Sequence, residues 1–503
     1  MKEKKLSTER TARTRRFRLT LAVTVAAALC QVAALAGTTL GDKPVKTKNR
    51  EDKSYIFRYF LKDKQGTAYS LSQPLAFLSR KSVERRRRQG LPLDSTDLPV
   101  SAAYTRLFNV KGARIVGASR WNNAIIVRVS DTIVANVLAR LACVKAYKQV
   151  WQSPDSVFPV EMRKKYHETY NRWDSVATSF YAASNAQIAA INGLALHNKG
   201  FTGKGMTIAV LDGGFMNADK IPAFAHTRLL GTRDFVNPSS KGICQETDHG
   251  TKVLSAMAAY APNVYVGCAP EASFWLLRCE DRQTEQPVEE DYWAMAAEYA
   301  DSVGADLINS SLGYYHFDNK ADDYHYRDMD GRTAYISHTA SMLASKGIIL
   351  VNSAGNSGMG PWKKITFPAD ADDILTVGAV TPTMSNAPFS GVGPTQDGRI
   401  KPDVMAPGSP TSLISGRGTV VQDMGTSFAT PLICGMTACL WQALPGLTAK
   451  EIMQTVRLSA DNSGHPDNIF GYGVPDFGKA FDMGKALQRD RNNGKKLWTT
   501  TAD

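Results

Sequence analysis

Between about residues 187 and 485 the chain alternates short apolar runs with longer amphipathic stretches. Met206-Thr207-Ile208-Ala209-Val210-Leu211 is apolar at nearly every position, as expected of a strand buried on both faces of a sheet. Comparable runs fall at residues 274–277, 305–308, 347–351 and 374–380. Helical periodicity over residues 288–303 and 333–345 separates them, and Gly304 and Gly347 supply the stops. This alternation predicts an α/β domain, a doubly wound parallel sheet with helices on both faces.

A different pattern precedes it. Tyr55-Ile56-Phe57-Arg58-Tyr59-Phe60-Leu61 reads as a strand, residues 75–89 as a basic helix, 113–116 and 123–129 as strands, and 132–141 as a helix. A last extended piece ends near residue 150, so residues 55–150 predict a small α+β unit. Residues 153–186 lack periodicity and read as a linker, and residues 486–503 as a frayed polar tail. The run Arg85-Arg86-Arg87-Arg88 reads as the solvated face of a helix, in preference to a processing site or a polyanion contact.

Residues 1–36 stand apart. Eight Lys or Arg against two Glu in residues 1–18, an apolar stretch over 19–36 and Ala34-Leu35-Ala36 before Gly37 predict a secretory signal peptide rather than a retained anchor. The expected destination is therefore secreted or periplasmic. The net charge of +13 over 503 residues would suggest a nucleic-acid partner, but its distribution removes that reading. Residues 1–180 hold 34 Lys+Arg against 14 Asp+Glu, which leaves 26 and 33 for the rest of the chain. Of seven cysteines, Cys30 would leave with the signal and Cys143 lies in the α+β unit. An exported chain permits a disulfide among Cys244, Cys268 and Cys279. Cys434 and Cys439, five apart on an expected helix, point to different faces and read as buried small hydrophobes.

Ligands of open α/β sheets collect at the carboxyl ends of the strands, and the notable polar residues fall there. Asp212 ends the first apolar run, Asn309-Ser310-Ser311 end another, and Ala354-Gly355-Asn356 follow a third. His249 in Asp248-His249-Gly250-Thr251 opens a helix, whose dipole is expected to favour the neutral imidazole. Ser427 in Gly425-Thr426-Ser427-Phe428-Ala429-Thr430-Pro431 opens another, where backbone N–H groups could hold an oxyanion. Singly each residue means little. Together they supply an acid, a base and a nucleophile in the order Asp, His, Ser.

Val210-Leu211-Asp212-Gly213-Gly214, His249-Gly250-Thr251, Ser311-Leu312-Gly313, Ser353-Ala354-Gly355-Asn356 and the segment around Ser427 resemble the five signature segments of the subtilase family, in family order. The resemblance implies a serine endopeptidase working through an acyl-enzyme on Asp212, His249 and Ser427, with Asn356 donating to the oxyanion. Ser311, Leu312 and Gly313 would pair with the substrate backbone. Ser353, Ala354 and Gly355 would wall the specificity pocket. Gly213 departs from the usual Ser or Thr, and Phe428 from the commoner Met. Residues 55–150, within a pro-region spanning 37–152, resemble the family's inhibitory propeptides, which implies autoprocessing within the linker, protein or peptide substrates and the pro-region as intramolecular inhibitor. A monomer is expected. The chemistry requires no cofactor, although subtilases often bind calcium and the acidic insertion holding Asp328 and Asp330 could supply a site. An aromatic-Pro cis turn is expected at Phe367-Pro368. A catalytically silent binding protein and an esterase on the same triad are the alternative readings.

Overall fold

A computed structural model describes residues 53–154 and 179–492 except residue 246, together with the backbone of the antiparallel pair Val45–Lys46 and Ser156–Val157, which belongs to a separate unit. The expected signal peptide, most of the linker and the end of the polar tail lie outside the described residues.

Strands β1 (Tyr55–Leu61), β2 (Ala113–Ser119), β3 (Ala124–Val129) and β4 (Val144–Gln152) form an antiparallel sheet in the order β2-β3-β1-β4. Helices α1 (Arg80–Arg88), α2 (Ala102–Leu107) and α3 (Thr132–Ala139) complete the α+β unit. Caps fix the helix starts: Ser79 accepts from Ser82 N, and Asp131 from Ile133 N and Val134 N. Residues alternate across β1. Phe57, Tyr59 and Leu61 enter the unit's own core with Phe108, Ile125 and Leu138. Ile56, with Ile126 and Val150, instead joins a core shared with residues 292–297 of the following domain.

That domain is built on seven parallel strands: β5 (Thr207–Asp212), β6 (Arg228–Asp234), β7 (Ser273–Arg278), β8 (Leu307–Ser310), β9 (Ile349–Ser353), β10 (Leu375–Val380) and β11 (Val404–Pro407). Their order is β11-β10-β9-β8-β5-β7-β6. Helices α4 (His249–Ala258), α5 (Val288–Val303), α6 (Thr426–Ala443), α7 (Ala449–Ser459) and α8 (Phe477–Asn492) flank them. Alternation along β5 explains the unbroken apolar run. Ile208 and Val210 pack in one core with residues of α4 and α6, while Ala209 and Leu211 pack in the other with residues of α5. The Phe367-Pro368 bond is cis, as expected.

Three expectations fail. Arg85 and Arg86 are not solvated: both are buried and meet Asp301 on α5, with Arg120 joining them at the same carboxylate. A helix face that reads as surface is thus buried against a domain encoded far downstream. The polar tail does not fray at Arg489, because α8 runs to Asn492 and Arg491 pairs with Glu451 and bonds Gly446 O. Cys244, Cys268 and Cys279 are all free thiols, while Cys434 and Cys439 are buried as expected.

Contact between the α+β unit and the larger domain is close and charged. A Cβ on Gly117 of β2 would lie 2.1 Å from Met295 Sδ, so any side chain there would have to displace the end of Met295 where the sheet meets α5. Arg58 bonds both oxygens of Asp291 at 2.6 and 2.8 Å, and Lys81 reaches Asp306 at 2.6 Å. Glu298 accepts from Arg120 N at 2.8 Å and Trp121 N at 3.2 Å.

Candidate active site

Asp212 is the last residue of β5 and is fully buried. Its carboxylate meets Nδ1 of His249 at 2.9 Å through each oxygen, and Gly213 N donates to Oδ1 at 2.8 Å. Two acceptors on one side of the ring fix the proton on Nδ1 and leave Nε2 as the free base. Glycine permits the approach. A Cβ on Gly250 would lie 2.4 Å from Gly214 O and 3.0 Å from Asp212 Cβ, so α4 can start against the end of β5 only without a side chain there.

The expected effect of the helix dipole on His249 is overridden. Burial lowers its pKa, but the charge and hydrogen bond of Asp212 outweigh burial, Glu280 adds to them, and the group is pushed up to about 9. The Phe428 ring lies 5.6 Å from the imidazole, tilted by 43°, so the residue that replaces Met packs on the base.

Ser427 sits in the first turn of α6 with 8% exposure. Its Oγ donates to Ser311 O at 3.2 Å and is not hydrogen-bonded to His249, while Ser311 Oγ donates back to Ser427 O at 2.9 Å. The reciprocal bonds tie the α6 turn to the strand end at Ser311. Catalytic hydrogen bonds in substrate-free structures are often long and tighten on binding.

Asn356 stands beside this turn. Its Oδ1 accepts from Thr426 N at 2.9 Å and Thr426 Oγ1 at 3.0 Å. Thr426 Oγ1 in turn accepts from Gly355 N at 3.1 Å. With its carbonyl end held, Asn356 must turn its NH2 donors away from Thr426. Ser311, Leu312, Ser353, Ala354 and Gly355 are buried and Gly313 is exposed. The two segments follow adjacent strands, since β8 and β9 pair in a register that sets Ser310 opposite Asn352.

Sequence reasoning missed three neighbours. Thr426 orients Asn356. Glu280 occupies the space that a side chain at position 213 would need, since a Cβ on Gly213 would meet Glu280 Oε2 at 2.3 Å. Burial, then the charge of Asp212, raise the pKa of Glu280. Thr366 lies against both Gly313 and Gly355. The acidic insertion spends its carboxylates on itself: Asp328 accepts from His325 N at 2.8 Å, and Asp330 from Thr333 N and Thr333 Oγ1 at 2.7 Å each. Among the described residues no group of three His, Cys, Asp or Glu side chains is arranged to hold a metal ion.

Comparison with known proteins identifies the family. The model of the subtilase family, Peptidase_S8, matches residues 203–473, and that of a Peptidase S8 propeptide domain from Bacteroidota matches residues 57–167. The chain is 27% identical to subtilisin NAT of Bacillus subtilis subsp. natto over 385 residues, covering 74% of this chain and 93% of that protein. It is also 27% identical over 294 residues to a thermostable alkaline protease of Halalkalibacterium halodurans, covering 58% and 72%. M-protease of Shouchella clausii is 26% identical over 323 residues, covering 64% and 76%.

Proposed function

The chain belongs to the subtilase family as a serine endopeptidase with an N-terminal propeptide domain, and from that premise we propose that Asp212, His249 and Ser427 are its catalytic triad. The observation that carries the assignment is the pairing of His249 Nδ1 with both oxygens of Asp212 at 2.9 Å. Nε2 of His249 takes the Ser427 proton as Oγ attacks the scissile carbonyl. The imidazolium so formed is stabilised by Asp212 and returns the proton to the leaving amine. Water then repeats the cycle on the acyl-enzyme.

Asn356 and the N–H of Ser427 hold the oxyanion, a role supported by the way Thr426 fixes the opposite end of the Asn356 amide. An extended substrate adds as a strand along Ser311, Leu312 and Gly313, through main-chain bonds that read no sequence. The protein is exported through residues 1–36. The pro-region inhibits the domain it is docked on, the linker is cut by Ser427 itself, and inhibition ends when the cut fragment leaves. Labelling of the processed protein by a fluorophosphonate probe tests the assignment. Adduct formation at Ser427, lost in His249→Ala, is the expected result, and absence of labelling in folded, processed protein overturns it.

A further inference from the structure

An extended peptide that lies along Ser311, Leu312 and Gly313 with its carbonyl at Ser427 places the side chain before the scissile bond between that segment and Ser353, Ala354 and Gly355. What the enzyme accepts there depends on what already occupies the gap. Both facing glycines give the same answer. A Cβ on Gly313 would lie 2.1 Å from Thr366 Oγ1 and 3.0 Å from Thr366 Cβ. A Cβ on Gly355 would lie 2.5 Å from Oγ1 and 2.7 Å from Cγ2 of the same residue. The side chain of Thr366 therefore stands between the two walls.

It is held there from both sides. Thr366 N donates to Ala354 O at 3.1 Å, and the next residue, Phe367, exchanges backbone bonds with Tyr314 at 2.9 and 2.8 Å. Branching at Cβ restricts the side chain to few rotamers, so it cannot readily swing aside. Thr366 is 4% exposed, yet its Oγ1 has no hydrogen-bond partner among the described residues. A buried hydroxyl left without a partner is costly, and here it borders the space a substrate side chain enters.

From this arrangement we infer that Thr366 limits the primary specificity pocket to small side chains, so that the protease cleaves after alanine- or serine-sized residues and rejects aromatic ones. The inference rests on the proposed roles of Ser427 and the two lining segments. A large ring has to displace a packed side chain, whereas a serine can partner the Thr366 hydroxyl.

Processed enzyme is assayed on succinyl-tripeptidyl p-nitroanilides that differ only in the last residue, Ala, Ser, Phe or Lys. We expect kcat/KM for Ala and Ser to exceed that for Phe by about 10²-fold, the scale on which pockets reject misfit side chains. Thr366→Gly should raise the Phe/Ala ratio by about tenfold or more, and Thr366→Ser, which removes only a methyl, should move it part of the way. A wild-type enzyme that cleaves after Phe as well as after Ala overturns the inference, whether or not the variants fold. So does a Phe/Ala ratio unmoved in folded Thr366→Gly. Failure to cleave any of the peptides, with no fluorophosphonate labelling of Ser427, overturns the proposed triad and this inference with it; labelling with indifference to the last residue overturns this inference alone.

Discussion

Replacing Asp301 by Asn should loosen the pro-region from the catalytic domain more than any other single isosteric change at their contact. The carboxylate is fully buried and meets Arg85, Arg86 and Arg120, whose side chains are 0%, 2% and 10% exposed. After the change Arg86 keeps Asp97, Arg85 keeps the carbonyls of Ala305 and Lys346, and Arg120 keeps Glu298 O. None of these replaces the lost charge, and an amide NH2 would face guanidinium groups. Removing one partner of a buried ion pair costs about 3–5 kcal/mol, equivalent to a rise in opening of about 10²- to 4 × 10³-fold. The measurement is native-state hydrogen exchange of α1 and β3 in the uncleaved Ser427→Ala chain, with and without Asp301→Asn. A change below about 1 kcal/mol, the size of one ordinary hydrogen bond, would refute the reasoning and show that backbone carbonyls suffice. Dependence on pH adds a second check. Burial raises the pKa of Asp301, but the three guanidinium groups overcome burial and hold it far below the carboxylate range. A depressed folded pKa contributes stability above the unfolded value of about 3.9 and loses it only as pH falls further. Protection of α1 by this pair should therefore be the same at pH 5 and pH 8.

Asn356→Ala should lower kcat by about 10²–10³ with little change in KM, and a pure rise in KM would show that the oxyanion is held elsewhere. Ser427→Ala should be exported as one chain, since the cut between residues 150 and 187 needs Ser427; N-terminal sequencing from a host lacking other proteases decides it. The acidic limb of kcat/KM should lie in the alkaline range, because His249 is pushed up to about 9 and acts only when neutral. Glu280→Gln should move that limb to lower pH by removing a charge that favours the imidazolium, and an unmoved limb would separate Glu280 from the triad.

What the sequence revealed follows from how local each signal is. β5 was legible because both faces are buried and its interior, Ile208 to Leu211, is apolar throughout. β6 was not: Arg228–Asp234 is an edge strand with mostly exposed side chains, and its polar residues carry no period. The two-stage helix at Tyr335–Ser341 and Leu343–Lys346 was read as one stretch, since a shift to 3-10 geometry leaves the apolar spacing nearly intact. At the site, Asp212, His249, Ser427 and Asn356 each sit in a contiguous motif. Glu280 has none. It reaches Gly213 because β7 pairs with β5 in a register that sets Arg278 opposite Asp212, and register is a property of the sheet rather than of either segment. Arg85 and Arg86 were misread for a similar reason, as their partner lies more than 200 residues downstream.

If the linker is cut as proposed, the charged contact between the two parts changes character at that moment. While the linker is whole, Arg85 and Asp301 are joined by the same backbone, and a tether holds such partners at an effective concentration on the order of millimolar. After cleavage the same bonds join two molecules, and occupancy falls with dilution. A few kcal/mol of ion-pair energy that saturates the uncut chain then sets a threshold: crowded product stays inhibited by its own fragment, and product that diffuses away sheds it. On the proposed export, release into a larger volume would act as the dilution step, and the contacts at Asp301 would set how much dilution is needed.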